Sequence, residues 1–153
     1  MIPPASWVQP FRRPLTVVCA VLWIAAFAAT HVSVATIRKA PLPSLGDSVL
    51  HLIGYLGLTG ALLLTLLAHG RCFRRRTITA VAVMAVYATV DEYTQPLFGR
   101  EAALAEWSAN LVGAALAIVI FELAVWAIGR RHAAKENRPA PCQDEPANID
   151  RAP

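Results

Sequence analysis

The sequence predicts an all-α, polytopic membrane protein with four transmembrane helices in a compact bundle and both termini in the cytoplasm. Three observations lead there. The chain has 153 residues, of which 56% are apolar and only 16% charged, and its mean hydropathy is +0.48, outside the usual range of soluble domains. The apolar residues fall in four blocks, residues 15–34, 49–68, 77–90 and 107–128, whose only Asp, Glu, Lys or Arg is Glu122. Of the 14 basic residues, 11 lie before the first block, between the second and third, or after the fourth, and only Arg38, Lys39 and Arg100 lie in the other connections. The positive-inside rule then places both ends and the middle loop in the cytoplasm.

The elements follow in order. Residues 1–14 form a short cytoplasmic lead whose prolines oppose helix, with Pro14 suited to a first helical turn. Residues 15–130 form the membrane domain. Its first block reaches the roughly 20 residues that cross a bilayer. Arg12 and Arg13 before it and the small residues around Ser33 also fit a secretory signal, although the apolar run is long for one. Pro41 and Pro43 break any continuation, and Ser44 or Asp47 can cap the second helix. That helix carries Gly54, Gly57 and Gly60, and the fourth carries Ala109, Gly113 and Ala117, stripes small enough for close helix approach. The third block is short and spans only if Asp91, Glu92 and Tyr93 continue the helix into the interface. Trp107 and Trp126 suit the two aromatic belts, and His31 and His69 read as interfacial residues at helix ends. Residues 131–153 are polar and proline-rich and read as a disordered cytoplasmic tail.

Several classes are excluded. The pI of about 9.3 reflects topology, and without aromatic interleaving or a known binding motif the basic residues do not indicate nucleic acid. Cys19, Cys72 and Cys142 all fall in membrane or cytoplasm, so no disulfide framework is expected.

Charge where lipid is expected marks a site. In an outward-running third helix, Asp91 and Glu92 arrive at the outer end with Gln95 one turn after Glu92. On the second helix Asp47, His51 and Tyr55 make one stripe at i, i+4 and i+8, and on the fourth Glu106 and Asn110 lie one turn apart. All fall in one layer. His51, Asp91 and Glu92 are the candidate catalytic residues, with Glu92 and His51 able to act as general base and acid. Asp47, Tyr55, Gln95, Arg100, Glu106 and Asn110 are the candidate substrate-binding residues. Arg100, after Gly99 in a short loop, can hold phosphate or carboxylate bidentately, or pair with Glu92, Glu101 or Glu106. Asp47, His51, Asp91 and Glu92 offer oxygen and imidazole to a divalent metal, but no sequential ligand motif exists, so no metal and no cofactor is expected. Glu122, deeper in the fourth helix, is expected to pair with Arg130 or Arg71.

The linked pattern Asp47-x3-His51-x3-Tyr55, then Asp91-Glu92-x2-Gln95-x2-Phe98-Gly99-Arg100-x5-Glu106-x2-Ala109-Asn110-x2-Gly113, resembles that of the VanZ-like family of bacterial membrane proteins. The resemblance covers roughly residues 45–125. Ser48, Phe98 and Glu106 stand where that family commonly has lysine, proline and aspartate. The resemblance implies a multi-pass protein of the bacterial inner membrane. The founding member is tied to low-level teicoplanin resistance, and most relatives have no defined activity. From the layer of carboxylate, histidine and arginine, the expectation is a protein that binds or modifies a phosphate-bearing envelope lipid or lipid-linked cell-wall precursor. The alternative is a non-catalytic scaffold, as a homo-oligomer or within an envelope complex; a small transporter is weaker, since four helices without an obvious break offer no midplane site. Whether the protein is an enzyme stays open at this point.

Overall fold

The computed structural model describes residues 8–31, 46–99 and 103–136, with side chains to residue 131, and every regular element among them is helical. A 3-10 turn, Gln9–Phe11, leads into α1 (Arg12–Thr30); α2 spans Asp47–Ala68, α3 Phe73–Thr94 and α4 Leu104–Glu136. Arg100, Ser44, Cys142 and the prolines after residue 137 lie outside the described residues.

Local chemistry sets the boundaries. Pro14 falls in the first turn of α1, where its missing N–H costs nothing. Asp47 is the first residue of α2, behind Gly46 as the N-cap, and its charge suits the positive end of the helix dipole. The C-terminus of α2 closes in a Schellman motif. Arg71 N–H donates to Leu66 O at 3.0 Å and Gly70 N–H to Leu67 O at 2.9 Å, which Gly70 permits by adopting φ +72°. This tight connection makes α2 and α3 antiparallel neighbours. Pro96 cannot continue α3, so the chain tightens into a 3-10 turn, Gln95–Phe98, and reverses at Gly99 with φ +73°.

Helix α3 does run through Asp91, Glu92 and Tyr93. Its 22 residues give a length of about 33 Å at 1.5 Å per residue. Helix α4 is longer than expected: the segment read as tail from residue 131 stays helical to Glu136. The 33 residues of α4 extend about 50 Å.

Helix α2 sits at the centre and packs against the other three, most extensively against α4. The contact is made by one of the two small-residue stripes only. A Cβ on Gly113 would lie 2.3 Å from Leu52 O, while Gly54, Gly57 and Gly60 have nothing within 4 Å of theirs. The glycines of α2 therefore face away from the close approach, and α4 alone supplies the smooth surface, with Ala114 and Ala117 buried beside Gly113.

The distribution of polarity is inverted relative to a soluble domain. Val17, Val21, Ile24, Val119, Ile120 and Leu123 are exposed, while Asp91, Gln95, Asn110 and Thr59 are fully buried. The segments Gln9–Thr30, Asp47–Ala68 and Leu104–Arg131 are long and apolar enough to cross a membrane, with mean hydropathies of 1.7, 1.9 and 2.5. Outward apolar faces around a polar interior are what lipid solvation selects. The protein is a membrane protein with three clear candidate spans; α3 is of similar length to α2 but begins with three arginines within its first turn.

Candidate functional site

The polar interior concentrates where α1 ends, α2 begins and α3 meets α4. Two networks lie there, separated by the 100° step between consecutive helical residues Asp91 and Glu92.

The first network centres on Asp91. Its Oδ1 accepts from Thr30 Oγ1 at 2.7 Å and its Oδ2 from Tyr55 OH at 3.1 Å, tying α3 to α1 and α2 at once. His31 Nδ1 is 3.8 Å from Asp91 Oδ1 and donates to Phe27 O at 2.7 Å, while Nε2 meets Thr94 Oγ1 at 2.7 Å. The ring stacks on Phe27, with centroids 4.0 Å apart, and meets Phe98 edge-on at 4.7 Å. His31 is thus buried and at the heart of this network rather than interfacial. The signal for it was available: the topology that brings Asp91 to this end of the bundle brings the end of α1 to the same level.

The second network joins α2, α3 and α4. His51 Nδ1 lies 3.0 Å from Asn110 Oδ1; an amide oxygen only accepts, so Nδ1 carries the hydrogen. The opposite ring nitrogen, Nε2, faces Glu106 Oε2 at 3.2 Å. Glu92 Oε1 accepts the backbone N–H of Ala103 at 2.7 Å, which pins the entry of α4 to α3. Ligand-type atoms of His51, Glu92 and Glu106 all fall within 4.8 Å of one another. Among the described residues, Glu92 Oε2 and Asn110 Nδ2 are buried without a hydrogen-bond partner, as are both amide atoms of Gln95.

Of the candidate catalytic residues, His51 and Glu92 therefore share a centre, and Asp91 belongs to its neighbour. Among the candidate binding residues, Glu106 and Asn110 join His51, Tyr55 joins Asp91, and Gln95 is fully buried one turn after Glu92. Asp47 is exposed at the start of α2. Arg100 cannot be placed against either network, since it lies outside the described residues.

Glu122 has a different partner from the two expected. Arg76 Nε donates to Glu122 Oε1 at 2.7 Å and a second guanidinium nitrogen donates to Oε2, a bidentate pair buried between α3 and α4. Arg76 also donates to Arg71 O at 3.1 Å and lies over the Phe121 ring. Arg130 instead sits over Trp126, 4.9 Å from its centroid. This pair is at the opposite end of the bundle from His51. Beside it lies an apolar groove of about 430 Å³ lined by Phe73, Thr77, Val119, Leu123 and Trp126, which takes no part in the polar centre.

No protein-family model matches this chain, and neither a curated protein nor a solved structure is detectably similar to it.

Proposed function

We propose that the chain is a VanZ-like inner-membrane protein of bacteria, spanning the membrane four times with both termini cytoplasmic. Its extracytoplasmic polar centre binds, and acts by proton transfer on, a phosphate-bearing envelope lipid or lipid-linked cell-wall precursor. The family enters through linked residue spacings alone, and the orientation through the charge asymmetry of the loops. The single observation that carries the reading is the convergence of His51, Glu92 and Glu106 in the interior of an apolar bundle. Two carboxylates and an imidazole are costly to hold there, and Glu92 Oε2, which has no hydrogen-bond partner among the described residues, is an open proton acceptor. Glu92 is the base in this reading, and His51, oriented by Asn110, is the proton donor. Arg100 supplies the positive charge for phosphate.

The test is a deletion strain complemented by wild type, Glu92→Ala or Arg100→Ala, with envelope lipids and wall precursors compared and membrane abundance measured in parallel. A precursor that accumulates with normally abundant mutant protein supports the reading. Teicoplanin susceptibility of the same strains tests whether the resistance of the founding family member extends to this chain.

A second reading has its own observation. The bonds from Thr30 and Tyr55 to Asp91 and from His51 to Asn110 each cross between helices, as they would in a non-catalytic scaffold or envelope-complex partner whose polar layer is helix glue. That reading requires the same substitutions to lower abundance in proportion to function.

A further inference from the structure

We propose that the groove between α3 and α4, at the Arg76 end of the bundle, binds one anionic phospholipid, with an acyl chain along the groove and the phosphate at its mouth against Arg130, Arg74 and the first turn of α3. The groove has a volume of about 430 Å³, within the range of about 300–1,000 Å³ usual for ligand pockets. Phe73 and Thr77, one turn apart on α3, form one wall, and Val119, Leu123 and Trp126 on α4 form the other. These α4 residues stand at i, i+4 and i+7, and Arg130 continues the same stripe at i+11. The apolar wall thus ends in a guanidinium.

Two features make that end a place for an anion. Arg130 lies over the Trp126 ring, 4.9 Å from its centroid. The ring fixes the charge at the mouth without neutralising it, and the guanidinium N–H groups stay available for phosphate oxygens. The chain reversal at Gly99 makes α3 and α4 antiparallel, so Arg130, one turn beyond Trp126, reaches the level of the α3 N-terminus. That terminus has no acidic residue in its first turn and no side-chain bond from its N-cap, Cys72, while Arg74, next to Phe73, is exposed. The positive end of the α3 dipole and its first N–H groups add to the two arginines.

Charge complementarity selects the occupant. Glu122 is the one carboxylate among the groove residues, and Arg76 holds it bidentately, so it does not oppose an anion. Among the described residues, Arg71, Arg74, Arg75, Arg130 and Arg131 make no ion pair. A zwitterionic lipid would bring its own cation into this positive field, whereas a net anionic headgroup does not. Basic pockets between membrane helices on the cytoplasmic side suit such headgroups. The leaflet rests on the orientation proposed above; the groove and its arginines do not depend on it.

The experiment uses the full chain purified in detergent and titrated with phosphatidylglycerol, with phosphatidylcholine of the same acyl chains and with glycerol 3-phosphate, with bound lipid counted by native mass spectrometry. The expected result is one phosphatidylglycerol per chain, held at concentrations where phosphatidylcholine is not. Arg130→Gln and Arg74→Gln should each weaken it by about fivefold. Val119→Trp, which fills the groove from an exposed position, should weaken it with every arginine in place. Arg12→Gln combined with Arg13→Gln, on α1 and outside the groove, should leave it unchanged. Equal retention of the two lipids overturns the proposal, as does a loss in the α1 double variant equal to that in Arg130→Gln, which would mean attraction to the whole basic rim. Displacement by glycerol 3-phosphate with no effect of Val119→Trp overturns it in favour of a soluble phosphate. The expected pattern in a chain whose Cys72 is labelled from outside the cell keeps the lipid site and removes the proposed orientation.

Discussion

Asp91 and Glu92 are consecutive on α3 yet serve different contacts: Asp91 is held by the hydroxyls of Thr30 and Tyr55 from α1 and α2, and Glu92 by the N–H of Ala103 at the entry to α4. Asp91 has a donor on each oxygen, whereas Glu92 keeps one oxygen open. A satisfied carboxylate is a fastener, and an open one next to an imidazole is a reagent. The two residues should consequently fail in different ways when replaced.

Asp91→Ala removes the acceptor for two hydroxyls and should lower thermal stability in nanodiscs. Tyr55→Phe and Thr30→Val should each reproduce part of the loss, at about 1 kcal/mol apiece on the scale of interhelical bonds in membranes. Glu92→Gln should leave the melting temperature nearly unchanged while abolishing complementation of the deletion strain. Melting curves and membrane abundance of the four variants check this; equal destabilisation by Glu92→Gln would return Glu92 to a structural role.

Gly113 should be the least replaceable small residue. A methyl group there meets Leu52 O at 2.3 Å, so Gly113→Ala must push α2 and α4 apart, at about 1–3 kcal/mol. Gly57→Ala, with open space around it, should be neutral or slightly stabilising through helix propensity. Thermal unfolding of both variants by fluorescence-detected chromatography distinguishes them.

The buried Arg76 and Glu122 pair predicts a mutant cycle. Removing either partner strands a charge between α3 and α4 and should cost about 3–5 kcal/mol, whereas Arg76→Met combined with Glu122→Leu should recover most of it. If the double variant is as unstable as the worse single variant, the pair is not what holds this end together.

Topology has a direct chemical reporter in Cys72, which is exposed beside the α2 to α3 connection. In a Cys142→Ser background, a membrane-impermeant maleimide should label it in inverted vesicles and not in intact cells, while buried Cys19 reacts in neither. Labelling of Cys72 from outside would reverse the proposed orientation.

Much of the architecture was legible because it depends on periodicity and hydropathy. The four apolar blocks became four helices, and the i, i+4 relations of His51 on α2 and of Glu106 with Asn110 on α4 carried those residues to one level of the bundle. What the pattern could not supply is azimuth. Asp91 and Glu92 look like a pair in sequence, and only the rotation of α3 sends them to different helices. The same holds for the glycines: Gly54 and Gly57 have the composition of an interface, but α2 turns them outward and buries Tyr55, Leu58 and Thr59 instead. Arg76 was concealed for another reason. It stands in a run of arginines that reads as interfacial charge, and its partner Glu122 lies on α4, 46 residues away.

The inverted polarity of the bundle divides the chain into positions of very different mutational tolerance. At Val17, Ile24 or Ile120 any side chain that dissolves in acyl chains is equivalent, so those sites can drift freely among valine, leucine, isoleucine and phenylalanine. At Asp91, Asn110 or Gly113 nearly every exchange disturbs a bond or a helix contact. Selection on such a protein is concentrated in a thin interior seam, and a saturation mutagenesis scan should show it as a helical stripe of intolerance running down an otherwise permissive surface.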